Sequence, residues 1–524
     1  MKRLTSSTFS FENVINYNFL YVDKTKFIWQ LISPPKGVYF LSRPRQFGKS
    51  LELFAIKNIF QGKKELFKGL SIYDKPYDWT PHPIIHLSLL AGDYTSLEQT
   101  LRSLSFNVCR AAQEYGISLD RDAPPDQLLQ ELISKLSTRG KVVILIDEYN
   151  RPLLNNIREP YAQEIACVLK SFYSQIKAAD SMVRFVFITG ISKSAYNSIF
   201  ADFDNLTDIS MDPEYATMFG YTQKEFEVYF AEYIDKAVQN LNVSRDDLLS
   251  KMKHWYGGFQ FCDKAEAVYC PISVVRYLDT SSPSFKDYWY VTASPKLLFK
   301  YCKETLFDFE QALNDDIPER YFDNYELAPA DPLALFIQTG YFTIKDSFVR
   351  GGKTFYHLKF PNYEVQRPFL MSLLSVYTGM FEDEINLIFW ELSKQVEKGK
   401  VNVFMSLLTK FLSRIHSSVR MQKYYQTIFY ALFSWAGTEI EAEASTNEDR
   451  INAMISVKKW RFVLALNLRT DSIIELDRIT ETEFFRTHTR DNKHVMVIGA
   501  NLDCESGQIS DWKSEKRGKS CSLN

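Results

Sequence analysis

Three consecutive residues, Gly48-Lys49-Ser50, combine what a polyphosphate asks of a protein. Glycine lets backbone N–H groups approach phosphate oxygens. Lysine offers a compact cation to β- and γ-phosphates, and the serine hydroxyl can ligate Mg²⁺. A second pair, Asp147-Glu148, supplies the complementary chemistry. The aspartate can hold a metal-bound water, and the glutamate beside it can orient or deprotonate an attacking water. Thr189 could sense a terminal phosphate, or its hydroxyl could be satisfied within its own strand end. Arg45, Arg151 and Lys193 are further candidate phosphate contacts. His82 and His86 are four apart, but the second falls on an expected strand, so they do not share a helix face for a metal.

These residues need elements to position them. Val38-Tyr39-Phe40-Leu41 reads as a buried strand, Ser42 to Ser50 as a loop, and Leu51 to Phe60 as a helix packed on a sheet. A helix start carries partial positive charge, which suits the loop's expected ligand. The loop departs from G-x-x-x-x-G-K-[ST] at its first glycine, where the chain has Arg43. Pro83 to Leu89, Val142 to Ile146 and Phe185 to Gly190 are three more expected strands, with the two acids and Thr189 at C-terminal ends. Helical patterns fill Leu97 to Tyr115, Pro125 to Leu136 and the stripe from Ile165 to Ile176. Alternating strands and helices imply a parallel sheet, and such sheets bind ligands outside their C-terminal strand ends.

The chain has 524 residues, which implies two to four domains. Its apolar share of 45% and charged share of 24% are those of a soluble globular protein. A net charge of −2 excludes a global basic field for nucleic acid, though not a local groove. Seven widely spaced cysteines with no C-x-x-C fit a reduced cytoplasmic compartment. No signal peptide and no membrane-spanning run is expected.

Beyond about residue 215 the pattern changes. Thr222 to Glu225 is a capping box opening a helix through Tyr233. Shorter mixed, aromatic-rich elements follow to about 375, including those around Trp255 and Trp289, where core packing outweighs base stacking. Residues 376 to about 420 are helical. From Tyr424 a helix carries Ile428, Leu432 and Trp435. Glu439–Ala444, Ile451–Val457, Phe462–Leu468 and Val495–Ile498 are candidate strands. The stretch Lys513 to Lys519 reads as a frayed basic tail.

With loop, strands and acids in place, the chain resembles a bacterial AAA-ATPase-like family whose members carry a C-terminal PD-(D/E)XK nuclease-type domain. The likeness rests on Tyr21-Val22-Asp23-Lys24-Thr25, on Ser42-Arg43-Pro44-Arg45 with Phe47-Gly48-Lys49-Ser50, and on Leu145 to Tyr149. Ile188 to Lys193, Asn205 to Ser210, Gln338-Thr339-Gly340-Tyr341 and Phe360 to Glu364 extend it over nearly the whole chain. Arg43 is then a family trait, while Asn150 stands where the family usually has Asp. The resemblance implies ATP and Mg²⁺ as cofactors. Arg43, Arg45, Phe47, Gly48, Lys49 and Ser50 would contact the nucleotide, Ser50 and Asp147 the metal, and Lys49, Glu148 and Thr189 would form the catalytic group.

The family's nuclease pattern runs G-R-I-D-x-x-I and then F-E-F-K, carboxylates for metal and a lysine for the attacking water. Here Asn452 replaces the aspartate, Ala465 the glutamate and Asn467 the lysine. A nuclease fold without nuclease activity is expected. Its framework is kept at Tyr425, Ser445 to Asn447, Ile498 to Asn501 and Asp511 to Lys513. The implied fold class is α/β: a P-loop NTPase domain with a parallel sheet (1–215), a mixed, mainly helical middle domain (216–375) and a helical connector (376–421). A restriction-endonuclease-like α/β domain (422–513) and a basic tail (514–524) follow. The favoured function is a weak ATPase or nucleotide switch whose C-terminal module binds nucleic acid or a protein partner, with oligomerisation left open. The alternatives are an interaction protein with nucleotide as a structural ligand only, and a residual nuclease recruiting metal through Glu441 and Glu443.

Overall fold

The computed structural model describes residues 1–156, 159–193, 196–292, 296–305, 307–323, 331–415, 422–434, 441–447, 450–468, 476–482, 485–486, 493–504 and 506–517. For residues 292, 296, 297, 300, 301, 305, 310, 323, 422–424, 434 and 441–447 it describes the backbone only. The chain forms two compact units. One joins Met1–Ala293 to Asp316–Glu364, the other Ser294–Asp315 to Val365–Asn524.

The first unit is built on a five-stranded parallel sheet of β1 (Gly37–Ser42), β2 (Ile84–Ser88), β3 (Val142–Asp147), β4 (Val183–Gly190) and β5 (Thr207–Asp208). Their spatial order is β2-β3-β4-β1-β5. β3 is buried at every position, because helices cover both faces, the usual reason parallel strands read as unbroken apolar runs. Helices Leu97–Gln113, Pro125–Ser137 and Ala162–Ala178 bring Leu104, Leu132 and Phe172 onto one face with Phe40 and Ile144. On the other face the helix Lys49–Phe60 sets Phe60 against Phe185 at 5.2 Å between ring centroids. Leu41 pairs with Thr189, and Ser88 with Asp147. The register therefore brings the C-terminal ends of four strands to one rim.

The same unit holds a second apolar cluster that joins Leu4 and Val22 of the N-terminal segment to Phe226, Phe230, Met252 and Val274. The capping box at Thr222 and Glu225 is present. The expected single helix through Tyr233 is instead two, Gln223–Tyr229 and Ala231–Leu241, separated at Phe230. The buried stripe Phe226, Phe230, Tyr233, Ile234 runs through the break, so side-chain periodicity does not reveal it. A three-stranded sheet of β6 (Ile317–Pro318), β7 (Thr343–Arg350) and β8 (Lys353–Lys359), in order β6-β8-β7, completes the unit. Gly351 and Gly352, at φ 60 and 73, make the β7–β8 turn, as primed hairpin turns require.

The second unit carries helices Glu382–Glu397, Val401–Ser413 and Gln422–Ser434. Its sheet consists of β9 (Glu441–Asn447), β10 (Arg450–Val457), β11 (Trp460–Asn467), β12 (His494–Asp503) and β13 (Gln508–Arg517). The order is β13-β12-β11-β10-β9, parallel between β11 and β12 and antiparallel elsewhere. Residues 514–517, expected in a frayed tail, are the end of β13. The strand is a charged, exposed edge, a composition that blunts edge pairing and is easily read as a tail. Trp435, Glu439 and residues 518–524 lie outside the described residues. Among the described residues no helix is long and apolar enough to cross a membrane.

Candidate functional site

The loop after β1 turns through Gln46 at φ 64 and Gly48 at φ 95 into the helix at Lys49. A Cβ at Gly48 would meet nothing within 4 Å. The glycine is needed for its left-handed backbone and not for space. Lys49 is buried, and its Nζ donates to the carbonyls of Arg43 at 2.9 Å and Pro44 at 3.1 Å. Its remaining partner is Glu148 Oε1 at 3.4 Å.

Arg43 corrects an expectation. Its guanidinium is buried away from the helix N-terminus, donating to the carbonyls of Ser42 (2.8 Å), Ser210 (2.6 Å) and Tyr215 (3.3 Å). It also stacks on Phe261 at 4.3 Å. Burial pushes it down to about 9, with Asp208 pulling the other way. Arg43 is a strut for the base of the loop, and its backbone carbonyl, not its side chain, faces Lys49. Phe47 is a second strut: it packs edge-on against Phe259 at 4.9 Å and Phe261 at 5.4 Å.

The acids come in from β3. Asp147 Oδ2 accepts from Ser50 Oγ at 2.5 Å, and Oδ1 accepts from Thr189 Oγ1 at 2.8 Å. Thr189 thus orients the aspartate, and its hydroxyl is engaged there. Glu148 follows at φ 59, a backbone that a glutamate adopts only when its surroundings impose it. The constraint is visible in Tyr149 N donating to Thr189 O and Arg151 N donating to Glu148 O, each at 3.0 Å. Glu148 Oε2 is buried and has no hydrogen-bond partner among the described residues. Asn150 donates to the Ser192 carbonyl at 3.0 Å and to the Ser192 hydroxyl at 3.1 Å.

Lys49, Ser50 and Glu148 line one cavity of about 490 Å³, which Arg45, Arg151 and Arg276 also line. Lys193 does not belong to it. It is buried in an ion pair with Asp208 at 2.7 Å and lines a separate small cavity beside Arg43. The sequence reading missed two features of the large cavity. One is Arg276, on the helix Pro271–Leu278, which no local pattern marks. The other is the Tyr21-to-Thr25 stretch, visible as a motif without a role. Tyr21 Oη donates to Glu52 Oε2 at 2.8 Å, and Lys24 is paired with Glu225 at 2.6 Å. Burial pushes the Glu52 carboxyl up to about 8.

In the second unit, Asn452 stands opposite Ala465, and Arg450 opposite Asn467. Asn467 Nδ2 donates to Asn501 Oδ1 at 2.9 Å. The side chains of Glu441 and Glu443 lie outside the described residues.

A model of the AAA-ATPase-like family, with the description "Predicted AAA-ATPase", matches residues 6–200. The chain is also similar to a protein of Azotobacter chroococcum mcd 1, "Uncharacterized protein in vnfD 5'region". The two are 30% identical over 453 residues, covering 84% of each chain.

Proposed function

The chain belongs to the AAA-ATPase-like family, and on that premise we propose that it binds ATP with Mg²⁺ at the Ser42–Ser50 loop and turns it over as a weak ATPase or nucleotide switch. Membership implies nucleotide binding or ATPase activity in general. The finer reading is carried by one observation: Lys49, Ser50 and Glu148 line a single cavity, with Asp147 bonded to Ser50.

The donor set fits the metal. The Ser50 hydroxyl and Asp147 carboxylate are hard oxygen donors of the kind that hold Mg²⁺ together with substrate phosphates and waters. Such an ion would neutralise charge on the β- and γ-phosphate oxygens. The rest falls to the chain. Lys49 sits 3.4 Å from Glu148, so its ammonium would bind the terminal phosphates while steadying the carboxylate. Thr189 keeps Asp147 aligned. Glu148 Oε2 is left to take a proton from water. Water oxygen bonds to the γ-phosphorus as the bond to the β–γ bridging oxygen breaks, the electron pair leaves on ADP, and the proton passes from Glu148 to the released phosphate. Phosphate release from purified protein is the test. The expected outcome is turnover by wild type, loss of binding and turnover in Lys49→Ala, and binding without turnover in Glu148→Gln. Equal release from all three would defeat the reading.

We also infer that residues 422–513 form a nuclease-like module that does not cut. What supports this is that Asn452 and Ala465 are cross-strand partners and Asn467 is two residues further along β11. The three altered positions therefore share one sheet face, and none is a carboxylate. Incubation of single- and double-stranded DNA with Mg²⁺ or Mn²⁺ should leave both intact. Cleavage that disappears on changing Glu441 and Glu443 would overturn the inference.

A further inference from the structure

We propose that Arg45 and Arg151 of the same chain complete the triphosphate site by taking up the charge that develops on the γ-phosphate, so that hydrolysis needs no arginine from a second copy or a partner. The proposal rests on the ATP reading above.

The cations of this region are engaged in two ways. Those that do not face the ligand are satisfied within the protein. Arg43 donates to three carbonyls, Lys24 is paired with Glu225, and Lys193 with Asp208. Arg45 and Arg151 line the cavity with Lys49, Ser50 and Glu148, and among the described residues neither guanidinium has a hydrogen bond or ion pair. Both are only partly exposed. Burial and the neighbouring Arg45 hold Arg151 below the usual arginine range, while Glu148 draws it back up. Two unpaired guanidinium groups held together beside a carboxylate are unfavourable unless an anion joins them. Guanidinium forks match phosphate oxygens in pairs.

Both backbones are fixed. The Arg45 carbonyl accepts from Trp289 Nε1 at 3.0 Å, and Arg151 opens the helix Arg151–Asn155 three residues after Glu148. The loop side and the acid side of the cavity thus each present one arginine. Negative charge grows on the γ-phosphoryl oxygens as the bridging bond breaks and water adds, with the proton leaving to Glu148. An arginine supplied at that point is worth on the order of 10³-fold or more in rate, whether it comes from the same chain or another.

The test uses the full chain and three measurements. With Arg45→Ala and Arg151→Ala, kcat should fall by about 100-fold or more, while ADP affinity changes by less than about five-fold. Arg45→Lys and Arg151→Lys, which keep the charge and guard against misfolding, should still lose at least about ten-fold, because a point charge does not reproduce the fork. Wild type should trap ADP with aluminium fluoride and Mg²⁺, and the arginine variants should not. An equimolar mixture of Lys49→Ala and Arg151→Ala should stay inactive, since each chain lacks a part that the other cannot lend. Recovery of turnover in the mixture, undiminished kcat in the variants, or no trapping by a wild type that binds ATP would overturn the proposal. In each of these outcomes ATP binding still stands, whereas a wild type that does not bind ATP defeats the ATP reading itself.

Discussion

Glu148 and Glu52 are two carboxyl groups that line one cavity in different surroundings. Glu148 faces the Lys49 ammonium and is held in a left-handed backbone at φ 59, a strain of roughly 1–2 kcal/mol. Glu52 lies one helical turn beyond Lys49, where burial pushes it to about 8 although the Tyr21 hydroxyl and Lys24 charge pull it down. In the unfolded chain Glu52 ionises near its ordinary 4.5. Between these values the unfolded chain holds fewer protons than the folded one. The stability this group contributes is therefore full below about 4.5 and is lost as the pH rises through about 8. Glu52→Gln should lose less stability than wild type between about pH 5 and about pH 8, by on the order of a few kcal/mol. Urea unfolding across that range checks it, and parallel losses in the two proteins would refute it. At this scale the sequence discloses which residue types could carry chemistry and not what each one touches. Lys49, Ser50, Asp147 and Glu148 stood out by type and spacing, and the structure brings Lys49, Ser50 and Glu148 to one cavity with Asp147 hydrogen-bonded to Ser50. The role of Arg43 was not legible, because an arginine in a phosphate loop looks like a phosphate ligand until its three carbonyl partners are seen.

One stretch that carries the family resemblance, Gln338 to Tyr341, braces the Ser42–Ser50 loop. Gly340, at φ 91, closes the turn between the helix Pro332–Gln338 and β7. A Cβ there would stand 2.6 Å from Pro44 Cγ. Gln338 Oε1 accepts from Lys193 N at 2.6 Å, and Tyr341 packs on Trp289 at 5.4 Å, the same tryptophan that holds the Arg45 carbonyl. Gly340→Ala should therefore act twice, through the left-handed backbone and through Pro44. The expected loss is roughly 1–3 kcal/mol in chemical denaturation, with weaker ATP binding because the loop must shift. Unchanged stability and unchanged affinity would contradict this. The parallel strands and their helices were readable from apolar runs and 3.6-residue stripes. The break at Phe230 was hidden because the buried stripe continues across it. β13 was hidden because an edge strand hydrogen-bonds along one side only and shows no apolar alternation.

At the scale of the molecule, a net charge of −2 conceals a cavity lined by three arginines and two lysines against two glutamates, one of them held neutral up to about 8. Composition averages such a field away, so the local charge had to come from the fold. The pattern change near residue 215 marks a change of architecture and not the edge of a compact unit: most of 216–364 belongs with the first 215 residues. Periodicity reports elements, while the grouping of elements depends on contacts between distant segments, such as the pairing of Lys24 with Glu225. The central claim is a triphosphate site in the first unit built around Lys49. Isothermal titration of the full chain with ATP and Mg²⁺, beside Lys49→Ala, tests it most directly. The account predicts one saturable site per wild-type chain and an affinity at least ~100-fold weaker in the variant; indistinguishable heats in the two proteins would contradict it.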